Sequence, residues 1–177
     1  KDGNRTGEVT TNPAQKDRTI TGNAQPKLNA GWNNTLSYKN WSLTVFFTGV
    51  FGNKIYNSQR AHYTSAQMFS DGKNVLKEFL NNPAADASGS LPSDRFIENG
   101  TYVRLKTLTL SYTFKNCFNG WLKDLTLYGT ANNVFTITGY KGIDPEVSLG
   151  GIDPGVDYRW SRYPHTRTFM LGAKINF

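Results

Sequence analysis

The stretch Arg167-Thr-Phe-Met-Leu-Gly-Ala-Lys-Ile-Asn-Phe177 decides the reading of this chain. Phe169, Leu171, Ala173, Ile175 and Phe177 are apolar, and Thr168, Met170, Gly172, Lys174 and Asn176 alternate with them. Successive side chains on a strand point to opposite faces, so the segment has one apolar face and one mostly polar face. A half-buried strand of a soluble sandwich alternates in the same way. The length, however, matches the about 9–11 residues with which a tilted strand crosses a bilayer. The segment also runs out to an aromatic ring with no polar tail after it.

The same period recurs upstream. Residues 1–26 are polar, with Pro13 and Pro26, and read as a loop. A strand at about 27–38 sets Leu28, Ala30, Trp32, Leu36 and Tyr38 against Asn29, Gly31, Asn33, Thr35 and Ser37. Lys39-Asn40 turns the chain into a second strand at about 41–51, with Trp41, Leu43, Val45, Phe47 and Phe51 on its apolar side. Two such runs joined by two residues are a hairpin. Tyr38 and Trp41 meet at its turn end, where a membrane strand carries its interfacial aromatics.

Residues 52–100 form a long excursion. One short helix is expected there, from Asp71 to Leu80, because Val75, Leu76, Phe79 and Leu80 share a face and Pro83 follows. The third strand, about 101–114, places Leu108, Leu110, Tyr112 and Phe114 opposite Thr107, Thr109, Ser111 and Thr113. Its first half is out of phase, since Val103 and Leu105 fall on the threonine side. A bulge near Lys106, or emergence from a membrane there, accounts for the break. The fourth strand, about 124–138, sets Leu125, Leu127, Gly129, Ala131 and Phe135 against Thr126, Tyr128, Thr130, Asn132 and Thr136. Another long loop, 139–166, leads to the fifth strand at 167–177.

Tight and long connections therefore alternate along the chain. Bacterial outer-membrane barrels are meanders of this kind, with short periplasmic turns and long extracellular loops. The implied fold is all-β: a transmembrane antiparallel β-barrel to which residues 1–177 contribute five strands. Five strands cannot close a barrel, and the smallest have about eight. Left open, the sheet exposes two edges and an apolar face, so the remainder of the barrel belongs to polypeptide outside this sequence. The start at Lys1, without a basic-then-apolar leader, is expected of a processed chain or a fragment. On the last strand Gly172, Ile175 and Phe177 resemble the terminal signal of outer-membrane barrel assembly. Met170 stands where that signal has a polar residue.

Composition agrees with this class. The 177 residues include 17 Gly and only 2 Met, and 14% are aromatic, a β-rich balance with turns to match. Mean hydropathy is −0.53 and no apolar run approaches the about 18 residues of a membrane helix. Barrel strands, being half polar, are not excluded by such a value. The net charge of +7 is spread along the chain without a basic run, which argues against nucleic acid. A single cysteine, Cys117, excludes an internal disulfide and a cysteine-based zinc site. His62 and His165 lie far apart with no carboxylate at ligand spacing, so no metal or other cofactor is expected. No Gly-x-Ser-x-Gly, phosphate loop or carboxylate pair is present, and the chain does not read as an enzyme.

Four blocks carry a family resemblance. They are the run from Asp17 to Asn57, with Leu28-Asn-Ala-Gly-Trp-Asn-Asn-Thr-Leu-Ser-Tyr-Lys-Asn-Trp41 at its centre; Asn99-Gly-Thr-Tyr-Val-Arg-Leu-Lys-Thr-Leu-Thr-Leu-Ser-Tyr112; Asn132-Asn-Val-Phe-Thr-Ile-Thr-Gly-Tyr-Lys-Gly-Ile-Asp-Pro-Glu146; and Tyr163-Pro-His-Thr-Arg-Thr-Phe169. In this order they closely resemble the SusC/RagA family of TonB-linked outer-membrane proteins. The resemblance implies a 22-stranded barrel in the outer membrane of a Gram-negative bacterium, of which this chain is the C-terminal portion with its five strands, and an N-terminal plug and a TonB-contacting segment outside this sequence. It implies a SusD-like surface lipoprotein as lid, and import of oligosaccharides, or peptides in some members. A secreted carbohydrate-binding β-sandwich is the competing reading from another class.

Individual residues stay ambiguous at this level. Asp144, Glu146, Asp153 and Asp157 suggest a calcium or sugar site, but Asp-Pro pairs at 144 and 153 are ordinary turn initiators. Tyr158 and Trp160 could stack on a sugar ring, anchor their loop or touch the lid. Asn132, Lys174 and Asn176 are expected to face the lumen, against the plug.

Overall fold

The structure, a computed structural model, describes residues 20–81, 93–117, 122–147, 155–157 and 163–176. In chain order its elements are β1 (Leu28–Tyr38), β2 (Trp41–Phe51), β3 (Lys54–Asn57), α1 (Ser58–Tyr63), α2 (Ala66–Ser70), α3 (Glu78–Asn81), a 3-10 turn (Asp94–Phe96), β4 (Ile97–Asn99), β5 (Tyr102–Cys117), β6 (Leu122–Thr138), β7 (Val156–Asp157) and β8 (Thr168–Asn176). No helix among the described residues is long and apolar enough to cross a membrane. The chain divides into two compact units, one of Lys27–Phe51, Thr101–Gly139 and Pro164–Phe177, the other of Lys1–Pro26, Gly52–Gly100 and Tyr140–Tyr163.

The first unit is a five-stranded sheet in the order β1-β2-β5-β6-β8. Every neighbouring pair is antiparallel, so it is a meander with the long segments as its upper connections. The hairpin turn works as expected: Lys39 takes φ +54, the left-handed value that two-residue turns need at their first position. On the other side of the sheet β5 runs on to Cys117 and β6 starts at Leu122, further into the connection than the expected ends at 114 and 124.

The phase break at Lys106 is a bulge. Thr107 pairs with Phe46 and Leu105 with Phe47, so Lys106 has no partner rung on β2. Over the same step Thr107 pairs with Asn132 and Leu105 with Phe135, which leaves β6 a further residue to absorb. It does so at Asn133, whose φ of +51 Asn tolerates better than most residues. The consequence corrects strict alternation. Val103 and Leu105 do not join the threonines; they stand opposite Gly49 and Phe47, in file with Leu108, which faces Val45.

The second unit has a small sheet in the order β4-β3-β7, with β3 antiparallel to β4 and parallel to β7. Ile55 of β3 is fully buried and packs with Tyr140 and Val147. Ala61 and Phe96 form a second small core, against which Tyr56 lies. The Asn57 side chain caps α1 by accepting from the Arg60 N–H at 2.9 Å. The single helix expected from Asp71 to Leu80 is not formed. Instead α2 ends at Ser70 with Asp71 as its cap, and Gly72 at φ +69 turns the chain out of the helix. Only Glu78–Asn81 of that stretch is helical, and Leu76 and Leu80 are exposed, not packed.

Candidate membrane-facing surface

Register turns the alternation of single strands into surfaces. On one face of the large sheet, Tyr38, Trp41, Tyr112, Leu127 and Ala173 form one row. The next rows are Leu36, Leu43, Leu110, Gly129 and Leu171, then Asn34, Val45, Leu108, Ala131 and Phe169. Beyond the bulge the row is Trp32, Phe47, Leu105 and Phe135. Asn34 is the one polar side chain in these rows. Much of the face is open: Leu171 is 92% exposed, Phe169 75% and Ile137 67%. Burying one such side chain is worth about 1.5–3 kcal/mol, so a face with many of them demands an apolar cover.

Aromatic rings bracket this face. At the tight-turn end Trp41 meets Tyr112 edge-on at 4.7 Å, Tyr112 meets Phe114 at 4.6 Å, and Lys39 Nζ lies 5.4 Å from the Tyr38 ring. Further along, Trp32 stacks on Phe47 at 5.7 Å and Phe47 meets Phe135 at 6.3 Å. The eleven residues of β2, tilted by about 45°, would rise about 25 Å, the height of a barrel's apolar band.

Apart from Phe46, Val50, Tyr102, Tyr128 and Met170, the opposite face is polar, and its polar groups largely satisfy one another. Hydroxyls pair across strands, Thr35 with Thr44 at 3.2 Å, Thr109 with Thr130 at 2.9 Å and Thr113 with Thr126 at 2.9 Å. Arg104 Nε donates to Thr136 Oγ1 at 2.8 Å, and Thr107 Oγ1 donates to Asn132 Oδ1 at 3.1 Å. Asn132, Lys174 and Asn176 all belong to this face by register, opposite Thr168, Thr126 and Asp124. Gly172 sits among them opposite Tyr128, while Ile175 stands on the apolar face opposite Leu125. Phe177 lies outside the described residues.

In the loop unit the acidic residues do structural work. Asp144 Oδ1 accepts from the Glu146 N–H at 2.9 Å, an Asx turn ahead of the buried Val147. Asp157, only 3% exposed, accepts from Tyr140 Oη at 2.6 Å, and its backbone carbonyl accepts from Ser58 Oγ. Burial, and then the Asp157 carboxylate, push the Tyr140 hydroxyl pKa far up. Among the described residues no group of three His, Cys, Asp or Glu could hold a metal. Tyr158, Trp160 and Asp153 lie outside the described residues.

Spacing along the chain gave no hint of the strongest polar cluster. Arg60 donates Nε and Nη2 to Glu78, both at 2.7 Å, and Nη1 to Glu98 at 2.9 Å; Arg95 Nη2 adds a 3.0 Å contact to Glu78. The Arg60 and Arg95 guanidinia also lie 5.7 and 5.2 Å from the Phe96 ring centre. The Arg60 hydrogen bonds foremost, then those of Arg95, hold the Glu78 pKa down at about 2 against its partial desolvation. Residues distant in sequence are thereby clipped into one loop frame.

Comparison with known proteins follows the fold. No family model matches the chain. It is 33% identical over 180 residues to TonB-dependent receptor P26 of Formosa agariphila, covering 91% of this chain and 18% of that protein. It is 29% identical over 160 residues to TonB-dependent receptor SusC of Bacteroides thetaiotaomicron, covering 83% of this chain and 15% of that protein. A structure of the RagAB peptide importer in its open-open state superposes with a TM-score of 0.71 at 22% identity, over 98% of this chain and 20% of that one. A further structure of the RagAB peptide transporter gives 0.66 at 23% identity. The chain thus spans about a fifth or less of each of these proteins. By name they are receptors and transporters, not enzymes.

Proposed function

We propose that this chain, a segment of a TonB-dependent protein of the SusC/RagA type, builds part of the wall and surface loops of an outer-membrane importer. The observation that carries the reading is the apolar face of the meander, bracketed by aromatic rows and exposed, among the described residues, at Trp32, Leu36, Leu110, Leu127, Phe169 and Leu171. Lipid is the cover it fits. A carbohydrate-binding sandwich needs a second sheet on that face, against side chains such as Leu171 that stand in the open.

In this reading the strands are five of 22, in the outer membrane of a Gram-negative bacterium. The polar face, with Asn132, Lys174 and Asn176, lines the lumen against a plug supplied by the rest of the protein. The two long connections lie outside the cell beneath a SusD-like lipoprotein. Asp144 and Glu146, with Tyr158 and Trp160, sit on the loop that the substrate or the lid would meet. Gly172, Ile175 and Phe177 form the assembly signal. The cargo class is oligosaccharide or peptide, and import draws on energy delivered by TonB to the missing part. The chain itself performs no chemistry.

Uptake decides the matter. Cells lacking the parent gene, with and without the gene restored, are offered a fluorescent oligosaccharide mixture and a fluorescent peptide mixture, in TonB-positive and TonB-negative backgrounds. Accumulation of one probe should require both the gene and TonB. Gene-dependent uptake that survives loss of TonB, or hydrolysis of the probes by the purified protein, contradicts the proposal.

A further inference from the structure

Alternation alone does not fix how β8 is laid along β6. A slip by one residue turns the apolar side chains to the wrong face, but a slip by two preserves both faces and is invisible to that rule. Something else must choose among the even registers. On the apolar face three of the four observed pairs set a large residue against a small one, the exception being Leu125 against Ile175. On the apolar face Leu127 faces Ala173, Gly129 faces Leu171 and Ala131 faces Phe169. On the polar face β6 presents Asp124, Thr126, Tyr128, Thr130 and Asn132, and β8 presents Asn176, Lys174, Gly172, Met170 and Thr168. Tyr128 is the one aromatic of the first set, Gly172 the one residue without a side chain in the second, and they are partners.

Space, not backbone, is what requires glycine here. Gly172 is absent from the glycines at positive φ, which are Gly22, Gly52, Gly72 and Gly155. A Cβ on it would meet Cζ, Oη and Cε1 of Tyr128, none farther than 2.9 Å. The tyrosine ring lies over the glycine as a key lies in its seat, the arrangement by which an aromatic residue covers a strand glycine. A slip by two in one direction sets Tyr128 against Lys174 and Leu127 against Ile175. In the other it sets Tyr128 against Met170 and Leu127 against Leu171. Either way the seat is empty and Tyr128 faces a side chain in place of the glycine.

We infer that Tyr128 and Gly172 are a register key, admitting the last strand beside β6 at one even register only. This gives Gly172 a role in the folded wall, separate from any signal read during assembly.

The test traps the register in the full-length parent protein, with its native cysteines replaced. Thr126→Cys with Lys174→Cys reports the observed register. Thr126→Cys with Asn176→Cys, and Asp124→Cys with Lys174→Cys, report the two slips. A short bifunctional thiol crosslinker is applied to cells. Tyr128→Ala and Gly172→Leu should each raise the slipped products about fivefold over the parent, as expected from losing one good cross-strand pair. The exchange Tyr128→Gly with Gly172→Tyr should return them to the parental level. Single variants that crosslink like the parent overturn the inference. If the single variants fail to accumulate, the exchange decides: recovery of the native-register product supports the key, and continued failure overturns it.

Discussion

Leu171 and Glu78 mark the two residue-level demands that this fold makes. Leu171, on the apolar face opposite Gly129, is 92% exposed and has little burial to lose within the described chain. In water Leu171→Arg would therefore be harmless, whereas in a bilayer a midplane arginine costs about 2–4 kcal/mol. We predict the latter, measured as a drop in urea resistance of the protein folded into lipid vesicles. Phe177→Asp, interfacial in the proposed reading, should cost only about 0–1 kcal/mol by the same measurement. If the terminal ring is chiefly an assembly signal, its deletion depletes the mature protein from the outer membrane all the same. Normal abundance of the deletion variant would remove that role. Glu78 poses an electrostatic demand. Its pKa is lowered to about 2, so the stability it lends is fully present above the free glutamate value of about 4.3 and is lost as pH falls through about 2. Glu78→Gln should weaken hydrogen-exchange protection of α1 at pH 6, and the gap from the parent should close as pH approaches 2. A gap independent of pH would mean that Glu78 acts by packing.

At the scale of elements, period two made the five long strands legible, though not β3, β4 or β7, and its one change of phase pointed to the bulge. Lys39-Asn40 and the phase change at Lys106 were readable because each alters the pattern within its own strand. What the bulge does was not readable, because Val103 and Leu105 change sides only by reference to β2. The absorbing residue on the neighbouring strand, Asn133, leaves no trace in local pattern at all. Its side chain donates Nδ2 to the Thr166 carbonyl at 3.0 Å, at the entry to β8. Asn133→Gly should be tolerated, while Asn133→Val should lose about 1–3 kcal/mol through the strained left-handed backbone. Urea unfolding of the two variants in vesicles separates them, and equal losses would detach the effect from φ. The loop helix at 71–80 failed for a related reason. Its apolar residues share a helical face, but Gly72 interrupts it with a backbone choice that no periodicity encodes. The Arg60–Glu78–Glu98 and Tyr140–Asp157 contacts join partners far apart in sequence, so only the folded frame brings them to view.

For the whole molecule, the five long strands belong to one sheet whose two faces differ in chemistry, and the long segments leave that sheet at the end opposite the tight turn. That polarity predicts a sidedness. Single cysteines introduced at Ser88 and Gly150, on the long connections, should react in intact cells with a membrane-impermeant reagent, while Asn119→Cys on the short connection should stay dark. The reverse pattern would invert the topology. Beneath sidedness is the claim on which everything else depends, that one face of the meander meets lipid and the other an aqueous lumen. The most direct measurement places one cysteine at a time at Phe169, Met170, Leu171, Ala173 and Lys174 of β8 in the membrane-assembled parent protein. Each is probed with a hydrophilic thiol reagent, then labelled with a fluorophore and challenged with a lipid-borne quencher. We expect opposite patterns: positions 170 and 174 open to the hydrophilic reagent, and 169, 171 and 173 quenched from the lipid. Quenching at 170 and 174, or uniform aqueous labelling of all five, would contradict this claim.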